Sequence, residues 1–86
     1  MTKPTTSYEV WVPRESFAAA FSWFTLHRGN LSVLVHPLTR HELLDHTERA
    51  VWMGDSVPLD LSQLSPLLDH VPLQYLELGL GYSLKK

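Results

Sequence analysis

Apolar residues in this chain fall into short groups with different spacings, and each spacing predicts a different element. Tyr8-Glu9-Val10-Trp11-Val12 is rich in β-branched and aromatic side chains and ends at Pro13, which predicts a strand over 8–12. After Pro13, a residue suited to a first helical turn, Phe17, Ala20, Phe21 and Phe24 recur at three- and four-residue steps. That period predicts an amphipathic helix with the phenylalanines in the core, ending near His27-Arg28 with Gly29 in a left-handed closing position. Leu31 to His36 is apolar on both faces except at Ser32 and His36, as expected of a covered strand. Thr39-Arg40-His41-Glu42 matches a capping box opening a helix over 40–49. Ala50 to Met53 closes at Gly54-Asp55, and Pro58, Pro66 and Pro72 break the rest into short pieces.

The expected organisation is α+β. Residues 1–7 form a flexible leader, 8–53 a strand-helix-strand core, and 54–86 an extended, loop-rich arm. If the strands over 8–12 and 31–36 share a sheet they must be parallel, joined by a right-handed crossover. Two strands leave edges open, and few charges guard these ones, so a homo-oligomer joined through strand edges is expected.

Composition narrows the chemistry. A chain of 86 residues supports one small domain with a marginal core. The absence of cysteine excludes disulfides, thiolate metal sites and cysteine nucleophiles. Nine acidic and seven basic residues, scattered to a net charge of -2, leave no footprint for nucleic acid or anionic lipid. The longest apolar run, Phe17 to Phe21, is too short to span a bilayer, and Met1 to Ser7 lacks a signal core, so a cytoplasmic protein is expected.

The five histidines carry most of the candidate chemistry. His36 ends an apolar strand and is held extended by Pro37, so it projects from a rigid element as a catalytic candidate. Glu42 and His46 lie four apart on one helical face, and His36, His46 and Glu42 together have the composition of a two-histidine, one-carboxylate Fe(II) triad. The alternatives are that Glu42 is used by the capping box and that His36 is a core histidine bound to a carbonyl. Asp45, four residues from both His41 and Arg49, is read as an ion-pair partner. His27 is a helix-end cation, while His41 and His70 belong to the surface. Tyr8, Trp11 and Trp52 are candidates to stack on an aromatic ligand, with core or interface packing as the alternative.

The segments Ser7 to Pro13, His27-Arg28-Gly29-Asn30-Leu31-Ser32-Val33-Leu34-Val35-His36-Pro37-Leu38-Thr39, Leu44-Asp45-His46 and Ala50-Val51-Trp52-Met53-Gly54 together resemble the DOPA 4,5-dioxygenase family, in its fungal branch. The resemblance implies half of a ferredoxin-like domain, a non-haem Fe(II) site and extradiol cleavage of a catechol by O2. Family members also carry a strand with a His-x-His motif that supplies metal-site histidines, and this chain lacks it, so the iron centre does not transfer whole. In the ferredoxin-like sheet that strand lies between the two kept here, which leaves a central gap. Three readings follow: extradiol cleavage with Fe(II), metal-free histidine acid/base chemistry such as isomerisation or cyclisation, or a non-catalytic self-associating scaffold or subunit. Fe(II) and no cofactor stay open as alternatives.

Overall fold

In the computed structural model, residues 7, 9–73 and 76–81 are described. A 3₁₀ turn at Arg14–Ser16 leads into helix α1, Phe17–His27. Strand β1 (Val33–Val35), the short helix α2 (Glu42–Asp45) and strand β2 (Val51–Met53) follow, and a second 3₁₀ turn spans Leu76–Leu78. This is a mixed α and β chain, as the hydrophobic pattern implies.

The helix α1 ends where expected. Arg28 donates its backbone N–H to Phe24 O at 2.9 Å, and Gly29 takes φ 60°, a left-handed conformation that costs glycine little. The next left-handed glycine, Gly54 at φ 78°, closes β2. The Arg28 guanidinium lies 2.6 Å from where a Cβ on Gly54 would sit, and its Nη1 donates to Leu31 O at 3.0 Å. One arginine thus ties the end of α1 to the start of the β1 segment and the end of β2.

The sheet departs from expectation. β1 pairs with β2, antiparallel, in the register Val33 with Met53, Leu34 with Trp52 and Val35 with Val51. Residues 9–12 carry no strand, and Tyr8 lies outside the described residues. The parallel pair of 8–12 with 31–36 is therefore replaced. Val51-Trp52-Met53 has the β-branched and aromatic composition of a strand, and the fifteen residues between Val35 and Val51 reverse the chain without a crossover. The two connections are of similar length, fifteen residues here against eighteen between positions 12 and 31, so loop closure does not decide between them; an antiparallel pair needs only a chain reversal, whereas a parallel one needs a crossover.

Two further expectations are corrected. The helix over 40–49 shrinks to four residues at 42–45, followed by turns, and its N-cap His41 has no side-chain cap. The capping box does not form because both its side chains have other partners. Thr39 Oγ1 accepts from His41 N at 3.0 Å and donates to Asp45, while Glu42 Oε1 accepts from Ser65 N at 2.8 Å. The helix α1 is not amphipathic: Phe17 is 50% exposed, Trp23 57% and Leu26 75%, and only Ala20 and Phe24 among its residues are half-buried. The phenylalanine core at 17 and 21 is thus absent, and among the described residues no apolar side chain is fully buried. The radius of gyration, 14.2 Å, exceeds the roughly 12 Å of a compact chain of this length.

The arm has little regular structure among its described residues, and it is folded back against 40–43. Leu43 N donates to Ser65 O at 2.9 Å, Leu68 N to Arg40 O at 2.6 Å, and Arg40 Nε to Leu68 O at 2.9 Å. Farther on, Gly81 N donates to Glu15 Oε1 at 2.8 Å. The arm therefore forms one wall beside α2.

Candidate functional site

That wall closes a cleft of about 300 Å³ lined by Glu9, Trp11, His36, Leu38, Glu42, His46, Leu64 and Pro72. Each side arrives on a different element. The pre-helical segment brings Glu9 and Trp11, the end of β1 brings His36, α2 and its last turn bring Glu42 and His46, and the arm brings Leu64 and Pro72.

At the centre, the His36 and His46 rings face one another with centroids 3.9 Å apart and planes inclined by 36°. His36 Nδ1 lies 2.9 Å from Pro37 O, and His46 Nδ1 lies 2.8 Å from Glu42 O. A carbonyl only accepts, so both contacts require the proton on Nδ1, which in the neutral ring leaves each Nε2 with its lone pair. Local sequence sets both contacts. Pro37 follows His36 directly, and His46 is one helical turn beyond Glu42. Trp11 adds an aromatic surface, its Nε1 donating to Glu9 Oε2 at 3.0 Å.

The structure thus brings together His36, His46, Glu42 and Trp11, all candidates on sequence grounds. It does not bring Trp52 to the cleft: Trp52 stands opposite Leu34 in the sheet and is not among the lining residues. Tyr8 lies outside the described residues. His41 is exposed and lines a separate hollow with Leu43, Thr47 and Pro66, and His70 is exposed in the arm. His27 packs its ring against Trp23, centroids 4.9 Å apart, in the last turn of α1.

The fit to a metal is partial. Two imidazoles present Nε2 lone pairs, but the Glu42 carboxylate is engaged by Ser65, and among the described residues no group of three His, Asp or Glu side chains could hold an ion. A two-histidine, one-carboxylate site is therefore one donor short.

Sequence reasoning missed Glu9, Leu38, Leu64 and Pro72. Glu9 had a signal, since residues two apart on an extended segment point the same way and Trp11 was already a candidate. Leu64 and Pro72 had none, because the arm is placed by backbone bonds between 40–43 and 65–68 that no local spacing announces.

Behind the cleft sits Asp45, the one fully buried side chain among the described residues. Its carboxylate accepts from Thr39 N at 2.7 Å, Thr39 Oγ1 at 2.9 Å and Arg49 Nη1 at 3.1 Å. The expected pairing with Arg49 is present, and Thr39 joins it. Burial pushes the Asp45 carboxyl upward, but the N–H and O–H of Thr39, with the hydrogen bond and charge of Arg49, outweigh it and hold the pKa below its ordinary value of 3.8.

The profile of the Dopa 4,5-dioxygenase family matches residues 3–63, a range that includes Glu9, Trp11, His36, Glu42, Asp45 and His46 but not Leu64 or Pro72. A DOPA 4,5-dioxygenase of Amanita muscaria is 56% identical over 80 residues, covering 93% of this chain and 35% of that protein. An uncharacterized 21.2 kDa protein of Botryotinia fuckeliana is 50% identical over 60 residues, covering 62% of this chain and 33% of that protein. The chain spans about a third of the length of the curated relatives it matches. No solved structure matches it.

Proposed function

The chain belongs to the Dopa 4,5-dioxygenase family, and on that premise we propose that the cleft between Trp11, His36 and His46 binds a catechol or related aromatic as part of a dioxygenase-type enzyme. The observation that carries the proposal is the facing imidazole pair, each ring with Nδ1 on a carbonyl and Nε2 without a partner among the described residues. Such an Nε2 accepts the proton of a catechol hydroxyl, giving the catecholate and an imidazolium, while the indole of Trp11 offers a stacking surface for the ring. Glu9 and Glu42 add two carboxylates to the lining of the cleft.

In the ring-cleaving form of this function, a bound Fe(II) supplies O2 activation. His36 and His46 are two donors for it, and this chain offers no third within the described residues. The donor set alone does not make an iron site, so the proton chemistry of the imidazoles, sufficient for isomerisation or cyclisation, is the part these residues support directly.

Self-association belongs to the same proposal. Among the described residues, a two-stranded sheet with one unpaired edge on each strand and an apolar helix left exposed are the surfaces a second copy would cover, in keeping with a homo-oligomer. The same observation favours the second reading, a non-catalytic self-associating scaffold or subunit of a longer dioxygenase.

Anaerobic reconstitution with Fe(II), metal analysis, and catechol addition in air separate these readings. Catechol should quench Trp11 fluorescence and give a yellow ring-opened product or a metal-independent isomer, both lost in His36→Ala. Retained turnover in that variant would remove His36 from the mechanism. No catechol binding, with an oligomer seen by light scattering, would leave the scaffold reading standing.

A further inference from the structure

The chemistry above makes no use of Asp45, yet its carboxylate is the most enclosed group in the described structure and lies next in sequence to His46. We infer that Asp45 is a positioning residue: through Thr39 it latches the segment after His36 onto α2 and so holds the His36 imidazole against that of His46. This rests on reading the His36–His46 cleft as the functional site.

His36 stands three residues before Thr39, and His46 is the residue after Asp45. Thr39 meets Asp45 through both its backbone N–H and its hydroxyl, at 2.7 and 2.9 Å, so the two histidine-bearing stretches are joined at a point that leaves only Pro37 and Leu38 between His36 and Thr39. Pro37 has a fixed φ, and its carbonyl takes the His36 Nδ1 proton, so little freedom remains between latch and ring. The rings themselves are half-buried, and a contact between two such rings is weak. Hydrogen bonds to an ionised carboxylate are about twice as strong as neutral ones, and burial shields them from water.

Arg49 completes the latch from outside. Its Nη1 reaches both Asp45 Oδ1 at 3.1 Å and Thr39 Oγ1 at 3.2 Å, supplying the opposite charge a buried carboxylate needs. The Thr39 hydroxyl has a single proton, given to Asp45, while its lone pairs accept from Arg49 and from His41 N at 3.0 Å. A methyl in place of the hydroxyl at position 39 removes the bonds to Asp45, Arg49 and His41 together and leaves the latch on the Thr39 backbone N–H alone, beside an intact Asp45–Arg49 pair.

The test uses the full chain and reads ring geometry. Wild type, Asp45→Asn, Thr39→Val and Thr39→Ser are compared by far-UV circular dichroism, by the nuclear Overhauser effect between the His36 and His46 ring protons, and by catechol affinity from Trp fluorescence. Expected are a strong ring-to-ring cross-peak in wild type and Thr39→Ser, and its loss in Thr39→Val and Asp45→Asn with secondary structure kept. Catechol affinity should fall about tenfold, at the low end of what residues supporting a site typically control. If Asp45→Asn does not fold, Thr39→Val decides. A cross-peak that survives in a folded Thr39→Val, is absent from wild type, or is lost equally in Thr39→Ser would overturn the inference, as would unfolding of Thr39→Val. If wild type binds no catechol while the cross-peaks behave as expected, the functional reading fails and the latch stands.

Discussion

The helix α1 and the segment 36–49 invert the usual arrangement of a small domain. The helix carries all three phenylalanines of the chain together with Trp23 and Leu26, and leaves Phe17, Trp23 and Leu26 half exposed or more. The segment 36–49 is rich in polar residues and encloses a carboxylate completely. A helix that is apolar all round is one built to be covered. A carboxylate that accepts from a backbone N–H, a hydroxyl and a guanidinium is already complete. The difference teaches which part of this chain is tied down: the histidine-bearing segment is held by its own bonds and those to the arm, whereas α1 is left largely uncovered among the described residues.

The sharpest way to break that contrast is to remove the carboxylate. Asp45→Ala leaves Thr39 N without its partner in a closed site and strips Arg49 of its counter-charge, and should cost about 2–4 kcal/mol by urea denaturation. A cost no larger than that of a surface substitution would mean the segment is held by something else.

Acid should do part of the same work reversibly. Because the folded-state pKa of Asp45 is lowered from 3.8, its contribution is complete above that pH and is lost as pH falls below it through the lowered value. Urea midpoints measured from about pH 6 down to about pH 2 should fall at the acid end, and less steeply in Asp45→Asn. Equal acid slopes in the two proteins would count against the burial of this carboxylate.

The smallest change in chain stability is expected on α1. Leu26, 75% exposed, should tolerate replacement by Gln within about 0.5 kcal/mol per chain, yet the same change should weaken the proposed self-association. Light scattering at two concentrations alongside a thermal melt reads both quantities. A large loss of stability with unchanged molar mass would show that the helix packs within its own chain.

How much was legible in the sequence varied with the range of the interaction that decides each feature. The extent of α1, its end at His27 and the left-handed Gly29 were readable, because propensity, period and a glycine's freedom act within a turn or two. The Asp45–Arg49 pair was readable for the same reason, being one helical turn apart. Thr39 and Glu42 looked like a capping box, and their diversion to Asp45 and Ser65 was hidden, because a side chain that can cap can equally bond to whatever chain comes near.

In the candidate site, His36, His46, Glu42 and Trp11 were visible as chemistry, while their meeting was not. The facing of the two imidazoles depends on the turn that brings the end of β1 back over α2, and the far wall depends on an arm whose Leu64 and Pro72 say nothing by themselves.

By itself, then, the sequence determined α1 and its end, the family and the inventory of reactive groups. Only the tertiary structure decided that β1 pairs with β2, that Phe17 and Phe21 of α1 stay exposed, and that two histidines ten residues apart share one cleft. The reason is physical: spacing along a chain encodes which residues share a turn or a face, whereas pairing and burial depend on which of several possible partners arrives first at the lowest cost in chain entropy and unpaired polar groups.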